Sequence, residues 1–174
     1  MKNAIRHLIP ITIALCLLAA TFGRTAPPAK SEIRANGGNG FGTIGAYAMR
    51  FANIDALSGT AISYADSPID GGAFRINEDG VYAISYTDGN AAGNPDYIAV
   101  TLNASPSTRL NALNFSEVLC RSYIPVSFNA GCSATVVLQS GDMVRAHRTF
   151  GAESEPGTNE AARFIIAKVE KATP

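Results

Sequence analysis

From about residue 46 to residue 169, apolar residues recur every second position in short runs, and turn formers separate the runs. The stretch Phe74-Arg-Ile-Asn-Glu-Asp-Gly-Val-Tyr-Ala-Ile-Ser-Tyr-Thr87 is the clearest instance. Its two β-favouring halves flank Asn77-Glu78-Asp79-Gly80, which predicts an antiparallel hairpin with its turn there. In the second half Tyr82, Ile84 and Tyr86 share one face, and Val81, Ala83, Ser85 and Thr87 share the other. Similar runs place strands over residues 46–51, 61–65, 73–76, 81–87 and 97–103, then 134–138, 143–148 and 163–169. A further strand falls within 110–119 or 123–128, the former also readable as a short helix. Ser67-Pro68, Asp79-Gly80, Asp88-Gly89, Ser105-Pro106, Ser140-Gly141-Asp142 and Glu155-Pro156-Gly157 punctuate them. Strands at this spacing, without a long helical period, predict an all-β antiparallel sandwich or jelly roll.

The strands are not alike. In 97–103 and 143–148, Ile98, Val100, Leu102, Val144 and Ala146 face one way and more polar residues face the other. The runs 134–138 and 164–169 are apolar on both faces, and 46–51 and 81–87 come close. A sandwich sheet needs one apolar face for its own core, so a second one needs a cover. Self-association provides that cover; overhanging loops or the linker are the alternative.

The N-terminus changes the picture in one respect. Lys2, Arg6 and His7 precede an apolar run over residues 8–20 that is short for a membrane span, which predicts a signal peptide over 1–25. An uncleaved anchor is the alternative. No other run approaches membrane length, so none is expected to span after cleavage. Residues 26–45, with Pro27-Pro28 and Asn36-Gly-Gly-Asn-Gly-Phe-Gly42, read as a flexible Gly-rich linker, and residues 46–170 as one domain. Losing Lys2, Arg6 and Arg24 leaves 11 basic against 14 acidic residues, which excludes the basic stripe a nucleic-acid binder needs. Export leaves Cys120 and Cys132 as an even pair in an oxidising compartment, and predicts a disulfide between them. The expected location is extracellular or cell-surface, or periplasmic in a bacterial host.

Four stretches in order resemble a known family: Gly72-Ala-Phe-Arg-Ile-Asn-Glu-Asp-Gly-Val-Tyr-Ala-Ile-Ser-Tyr86, Ile98-Ala-Val-Thr-Leu-Asn103, Ser133-Ala-Thr-Val-Val-Leu-Gln-Ser-Gly-Asp-Met-Val144 and Phe164-Ile-Ile-Ala-Lys-Val169. Together they resemble the C1q/tumour-necrosis-factor-like domain over about residues 46–169. The last strand is similar to bacterial versions, such as the C-terminal domain of spore-surface collagen-like glycoproteins. The resemblance implies a ten-stranded jelly roll assembled as a homotrimer, with the sheet of the first, third, sixth and last strands toward the three-fold axis. Tyr47, Phe51, Tyr82, Tyr86, Val137, Phe164 and Ile166 are then the candidates for trimer interface or core. Two departures stand out: Ile166 replaces a glycine common in animal members, and there is no collagen stalk.

Candidate chemistry is sparse. His147 is the one histidine beyond the signal, no activated serine context accompanies it, and it reads as a plain surface or rim residue. Asp88, Asn90, Asn94 and Asp96 offer the hard oxygen donors of a calcium site, but the stretch fails the calcium-loop template at Ala92 and Ala99. No cofactor is therefore assigned beyond that calcium candidate. Asn103-Ala-Ser105 and Asn114-Phe-Ser116 match the glycosylation pattern. The absence of tryptophan argues against a stacked-indole sugar platform, although Tyr64, Tyr97 and Tyr123 remain as stacking surfaces. The expected role is non-catalytic: a secreted trimeric recognition, adhesion or surface-coat module for a protein or glycan ligand. Its ligand loops are 88–96, 103–109 and 148–160, with Asp88, Asn90, Asp96, His147 and Arg148 as candidate ligand residues. A monomeric carbohydrate-binding sandwich is the alternative, and a hydrolase a weaker one.

Overall fold

The computed structural model describes residues 31–43, 45–89, 96–125, 128–149 and 158–169, and the segment read as a signal peptide lies outside them. The described residues form ten strands: β1 (Ser31–Asn39), β2 (Phe51–Ser58), β3 (Ile62–Ser67), β4 (Gly71–Ile76), β5 (Gly80–Gly89), β6 (Asp96–Leu102), β7 (Val118–Ile124), β8 (Asn129–Leu138), β9 (Met143–Arg148) and β10 (Thr158–Val169). They make two five-stranded antiparallel sheets, in the orders β2-β1-β10-β5-β8 and β3-β4-β9-β6-β7. Residues 110–119 hold two 3₁₀ turns, Leu110–Ala112 and Phe115–Glu117, before β7 begins.

The period-two pattern fills the space between the sheets. Tyr82, Ile84 and Tyr86 of β5 and Phe164 and Ile166 of β10 point inward from the first sheet and are buried. Phe74, Ile76, Ile98, Val100 and Val144 meet them from the second. At the centre Phe74 stacks on Phe164 with ring centroids 4.4 Å apart and planes 8° from parallel. Phe51 tilts against both rings at 6.0 Å. Phe51, Tyr82, Tyr86, Phe164 and Ile166 are thus core residues, the second of the two roles expected of them.

Two sequence expectations fail here for physical reasons. First, 74–87 is not a hairpin: β4 belongs to the second sheet and β5 to the first. Asn77 and Asp79 hold a crossing rather than a tight turn. The Asn77 amide nitrogen donates to the Ala61 carbonyl at 2.8 Å, and Asp79 Oδ1 accepts from the Ser140 amide at 2.7 Å. Ser140 lies on the β8–β9 connection, which crosses between the same two sheets, so the crossings brace each other. Turn chemistry marks a change of direction without naming the strand the chain then joins.

Second, the linker assignment of 26–45 is wrong for residues 31–39, which form β1 and pair with both β10 and β2. Ser31, Ile33 and Ala35 alternate inward, a modest apolar signal beside the conspicuous glycines. Conversely, the strand expected at 46–51 reduces to one bridge, Ala48 to His147, before β2 starts at Phe51. Gly71, at φ +82°, lets β4 start against this segment, where a Cβ would meet the Ala48 carbonyl oxygen at 2.2 Å.

Burial also reverses the expected contrast between strands. On β6 and β9 the more polar faces are buried, with Ala99, Thr101 and His147 at 0% exposure, under residues 46–49 and 103–117. On β8 and β10, apolar side chains on the outer face stay open: Val137 is 76% exposed, Val169 43% and Ile165 37%.

Candidate functional site

Three places bear on function. The first is the outer face of the sheet β2-β1-β10-β5-β8. Strand register sets Val169, Val81 and Val137 in one cross-strand row, Ala167, Ala83 and Thr135 in the next, and Ile165, Ser85 and Ser133 in the third. Side chains there alternate outward from a backbone whose other face is the core, so nothing of this sheet's own can turn to cover them. The small residues of the last two rows leave an open depression of about 450 Å³ beside Ile165. On β10, β5 and β8 this surface is uncharged and largely apolar with a concave centre, suited to packing against protein, and β1 extends two of its rows with the paired charges of Glu32 and Arg34. Of the expected interface residues, Val137 lies on it. Tyr47 does not: it is half-buried on the segment preceding β2, its hydroxyl accepting from Arg109 Nε at 2.8 Å.

The second place is an ion-pair cluster between the sheets. Asp88 closes β5 and Asp96 opens β6, so the connection between them brings both carboxylates to Arg148 at the end of β9. Arg148 Nε donates to Asp96 Oδ2 at 2.7 Å and its Nη1 to Asp88 Oδ2 at 3.3 Å. The Tyr86 hydroxyl donates to Asp88 Oδ2 at 2.7 Å, the Gly89 amide to Asp88 Oδ1 at 2.8 Å and the Tyr97 amide to Asp96 Oδ1 at 2.7 Å. Asp88 is wholly buried and Arg148 is 13% exposed. Burial pushes the Asp88 carboxyl above its ordinary value, with Arg148, Tyr86 and the Gly89 amide opposing. Burial, reinforced by Asp88, pushes the Tyr86 hydroxyl far up, so it stays a donor. For the two described members of the calcium set, the oxygens a cation would take are engaged by Arg148, Tyr86 and main chain; Asn90 and Asn94 lie outside the described residues. Asp88, Asp96 and Arg148 join the two sheets rather than face outward as ligand residues, which corrects that expectation.

The third place is His147, which the sequence puts at the surface and the structure buries completely. On β9 its ring points outward beneath the 103–117 connection. Nδ1 lies 2.7 Å from Thr101 Oγ1 and Nε2 3.3 Å from the Ser105 carbonyl oxygen. A carbonyl only accepts, so Nε2 carries the proton and the Thr101 hydroxyl donates to Nδ1. Burial lowers this imidazole to about 4, with Arg145 adding to the fall and the Ser105 and Glu117 contacts opposing it. Both ring nitrogens are engaged within the fold, which removes His147 from the ligand residues. The alternation Arg145, His147 on an outward face carried the signal; what covers that face was not in the pattern.

The remaining expectations fall on either side. Cys120 of β7 and Cys132 of β8 form a disulfide with Cα atoms 5.7 Å apart, tying an edge strand of one sheet to an edge strand of the other. Asn103, at φ 53°, is a turn residue: its Nδ2 donates to Asp142 and its Oδ1 accepts from the Met143 amide, both at 2.8 Å. Asn114 caps the second 3₁₀ turn through Glu117. Among the described residues no helix is long and apolar enough to cross a membrane.

No protein-family model matches the chain, and no curated protein matches it in sequence. Solved structures do. Murine APRIL at pH 8.0 superposes with a TM-score of 0.57 at 10% identity, over 80% of this chain and 98% of that one. Rabbit GITRL gives 0.51 at 10% identity, over 80% and 94%. Bushbaby GITRL gives 0.50 at 10% identity, over 83% and 97%. Likeness at such low identity speaks to architecture. By strand order, sheet pairing and superposition, the chain is an all-β antiparallel sandwich with a TNF-like jelly-roll fold.

Proposed function

We propose that the mature chain is a secreted, non-catalytic recognition, adhesion or surface-coat module that works as a homotrimer, with three copies packing the outer faces of their β2-β1-β10-β5-β8 sheets about a common axis. The observation that carries this reading is the open row of Val169, Val81 and Val137 above a small-residue depression, on the sheet containing the first and last strands. Apolar side chains at this density cost free energy in water, at roughly 25 cal/mol per Å² of apolar surface. Supporting it is the shared fold, and the one described histidine is sealed and engaged at both nitrogens. The coat role is suggested by the resemblance of the terminal strand Phe164-Ile-Ile-Ala-Lys-Val169 to that of spore-surface collagen-like glycoproteins. Native mass spectrometry of the mature protein at micromolar concentration tests the assembly. A trimer is expected, and a monomer contradicts the reading.

One observation favours the monomeric carbohydrate-binding alternative. Tyr97 and Tyr123 stand 5.1 Å apart on the outer face of β6 and β7, and the Arg121 guanidinium lies 4.2 Å over the Tyr97 ring. A sugar ring stacks on such a surface with a cation beside it. Glycan binding by a monomer, abolished by Tyr123→Ala, would establish that alternative.

A further inference from the structure

His147 sits where a strand, a strap and a cation meet. The 103–117 connection lies across the outer faces of β6 and β9, anchored by buried Ala104 and Leu110. Polar contacts hold its first half. The Ser105 carbonyl accepts from His147 Nε2, the Ala104 carbonyl from Arg145 Nη1 at 3.0 Å, and the Pro106 carbonyl from the Tyr47 amide at 2.7 Å. Arg145 is two residues from His147 on the same face of β9, and its buried Nε has no hydrogen-bond partner. The strap therefore already lies over one positive charge that is incompletely satisfied.

We propose that the 103–117 strap is a pH-sensitive cover: protonation of His147 places a second buried charge beside Arg145 and releases the strap from the β6–β9 face. The groups facing the imidazole fix the sign. From β9 comes Arg145, which repels the imidazolium; from β6 the uncharged Thr101; from the strap the Ser105 carbonyl and Glu117, which attract it. From the segment before β2 comes Ala48, without charge. Asp70 acts on Arg145 by attraction across space and moderates its charge. Burial outweighs the two attractions, so the proton is taken up with the strap open. Asp88, whose shift runs in the opposite direction, lies between the sheets at the end of β5. The device moves residues 103–109, one of the three connections read as ligand-facing. It also moves Phe115, which is fully exposed at the second 3₁₀ turn. It does not depend on the trimer.

Hydrogen exchange of the full chain, followed by mass spectrometry at pH 7 and pH 5 and corrected for intrinsic exchange rates, tests it. With the imidazole at about 4 when covered and an ordinary 6.5 when released, strap opening rises about 20-fold between those pH values. Amides of 103–117 should lose protection by that factor, while those of 81–87 keep theirs, and His147→Gln should abolish the difference. Equal protection at both pH values overturns the proposal, as does a loss shared by the whole chain, or an acid response that survives in the variant. Should His147→Gln fail to fold, an NMR titration of the imidazole in the native chain decides. A midpoint well below 6.5, accompanied by shifts of strap resonances, supports the cover; an ordinary midpoint with an unmoved strap refutes it.

Discussion

Arg148 has two buried carboxylates around it, and the worth of that arrangement lies in what its removal leaves behind. Asp88 and Asp96 without the guanidinium are two anions in a low-dielectric space, a situation that costs about 3–5 kcal/mol when one partner of a buried pair is deleted. Arg148→Met is therefore expected to lower unfolding stability by about that amount, read from the denaturant midpoint. Asp88→Asn should cost less, because burial already disfavours that charge. The two shifted groups also set opposite pH slopes. His147 is depressed to about 4 when folded. Between 6.5 and 4 the unfolded chain binds the extra proton, so stability is complete above 6.5 and falls with acid, by about 3 kcal/mol at 1.4 kcal/mol per unit. Asp88 is raised when folded, so the folded chain binds its proton more readily, and this group's contribution grows as pH falls toward the ordinary 3.8. His147→Gln should flatten the acid limb measured by thermal unfolding, and Asp88→Asn should steepen it.

Among elements, β7 and β8 are edge strands of different sheets, and each pairs with a single strand. The disulfide joins them on the side where the sandwich would otherwise open, closing a loop of 12 residues' separation. Replacing both cysteines by serine is expected to cost about 3 kcal/mol, on the model in which the bond restricts the unfolded chain. The measurement is a chemical denaturation curve with and without the pair. The connections matter as much as the strands. Asn77–Asp79 and residues 139–142 cross between the sheets side by side, braced by Ser140 on Asp79 and by the Ser140 hydroxyl on the Asn77 carbonyl at 3.0 Å. Together with the other changes of sheet along the chain, such crossings convert a run of antiparallel strands into a jelly roll.

At the scale of the whole molecule, the two outer faces have different fates. One is covered over β6 and β9 by the chain's own strap and the segment before β2, with Arg75, Arg121 and Tyr123 left exposed on its other strands; the other presents aliphatic rows to solvent. A charge on the open face separates assembly from folding. Val137→Glu changes an exposed side chain, so subunit stability should move by no more than about 0.5 kcal/mol, while the proposed trimer, followed by sedimentation, should give way to monomers. An oligomer unaffected by Val137→Glu would remove this face from the interface.

The alternation of residues was enough to place β3 to β6 and β8 to β10, but not β1, β2 or β7. Tyr82, Ile84 and Tyr86 share a face by period two alone, because a strand places every second side chain on one side whatever it pairs with; the run 164–169 is apolar on both faces, so the pattern did not choose Phe164 and Ile166 as its inward pair. The cysteine pair was legible for a different reason: with residues 1–25 read as a signal peptide, two thiols and one bond remain to be made. Pairing was not legible: hydrogen bonding between strands is made by backbone, which is the same at every residue, so nothing local in 74–87 says that β4 and β5 part to different sheets. Nor was cover. Whether Arg145 and His147 face water or lie beneath a strap depends on where residues 103–117 come to rest. Only the tertiary structure decides that, because burial belongs to the neighbours a residue acquires and not to the residue.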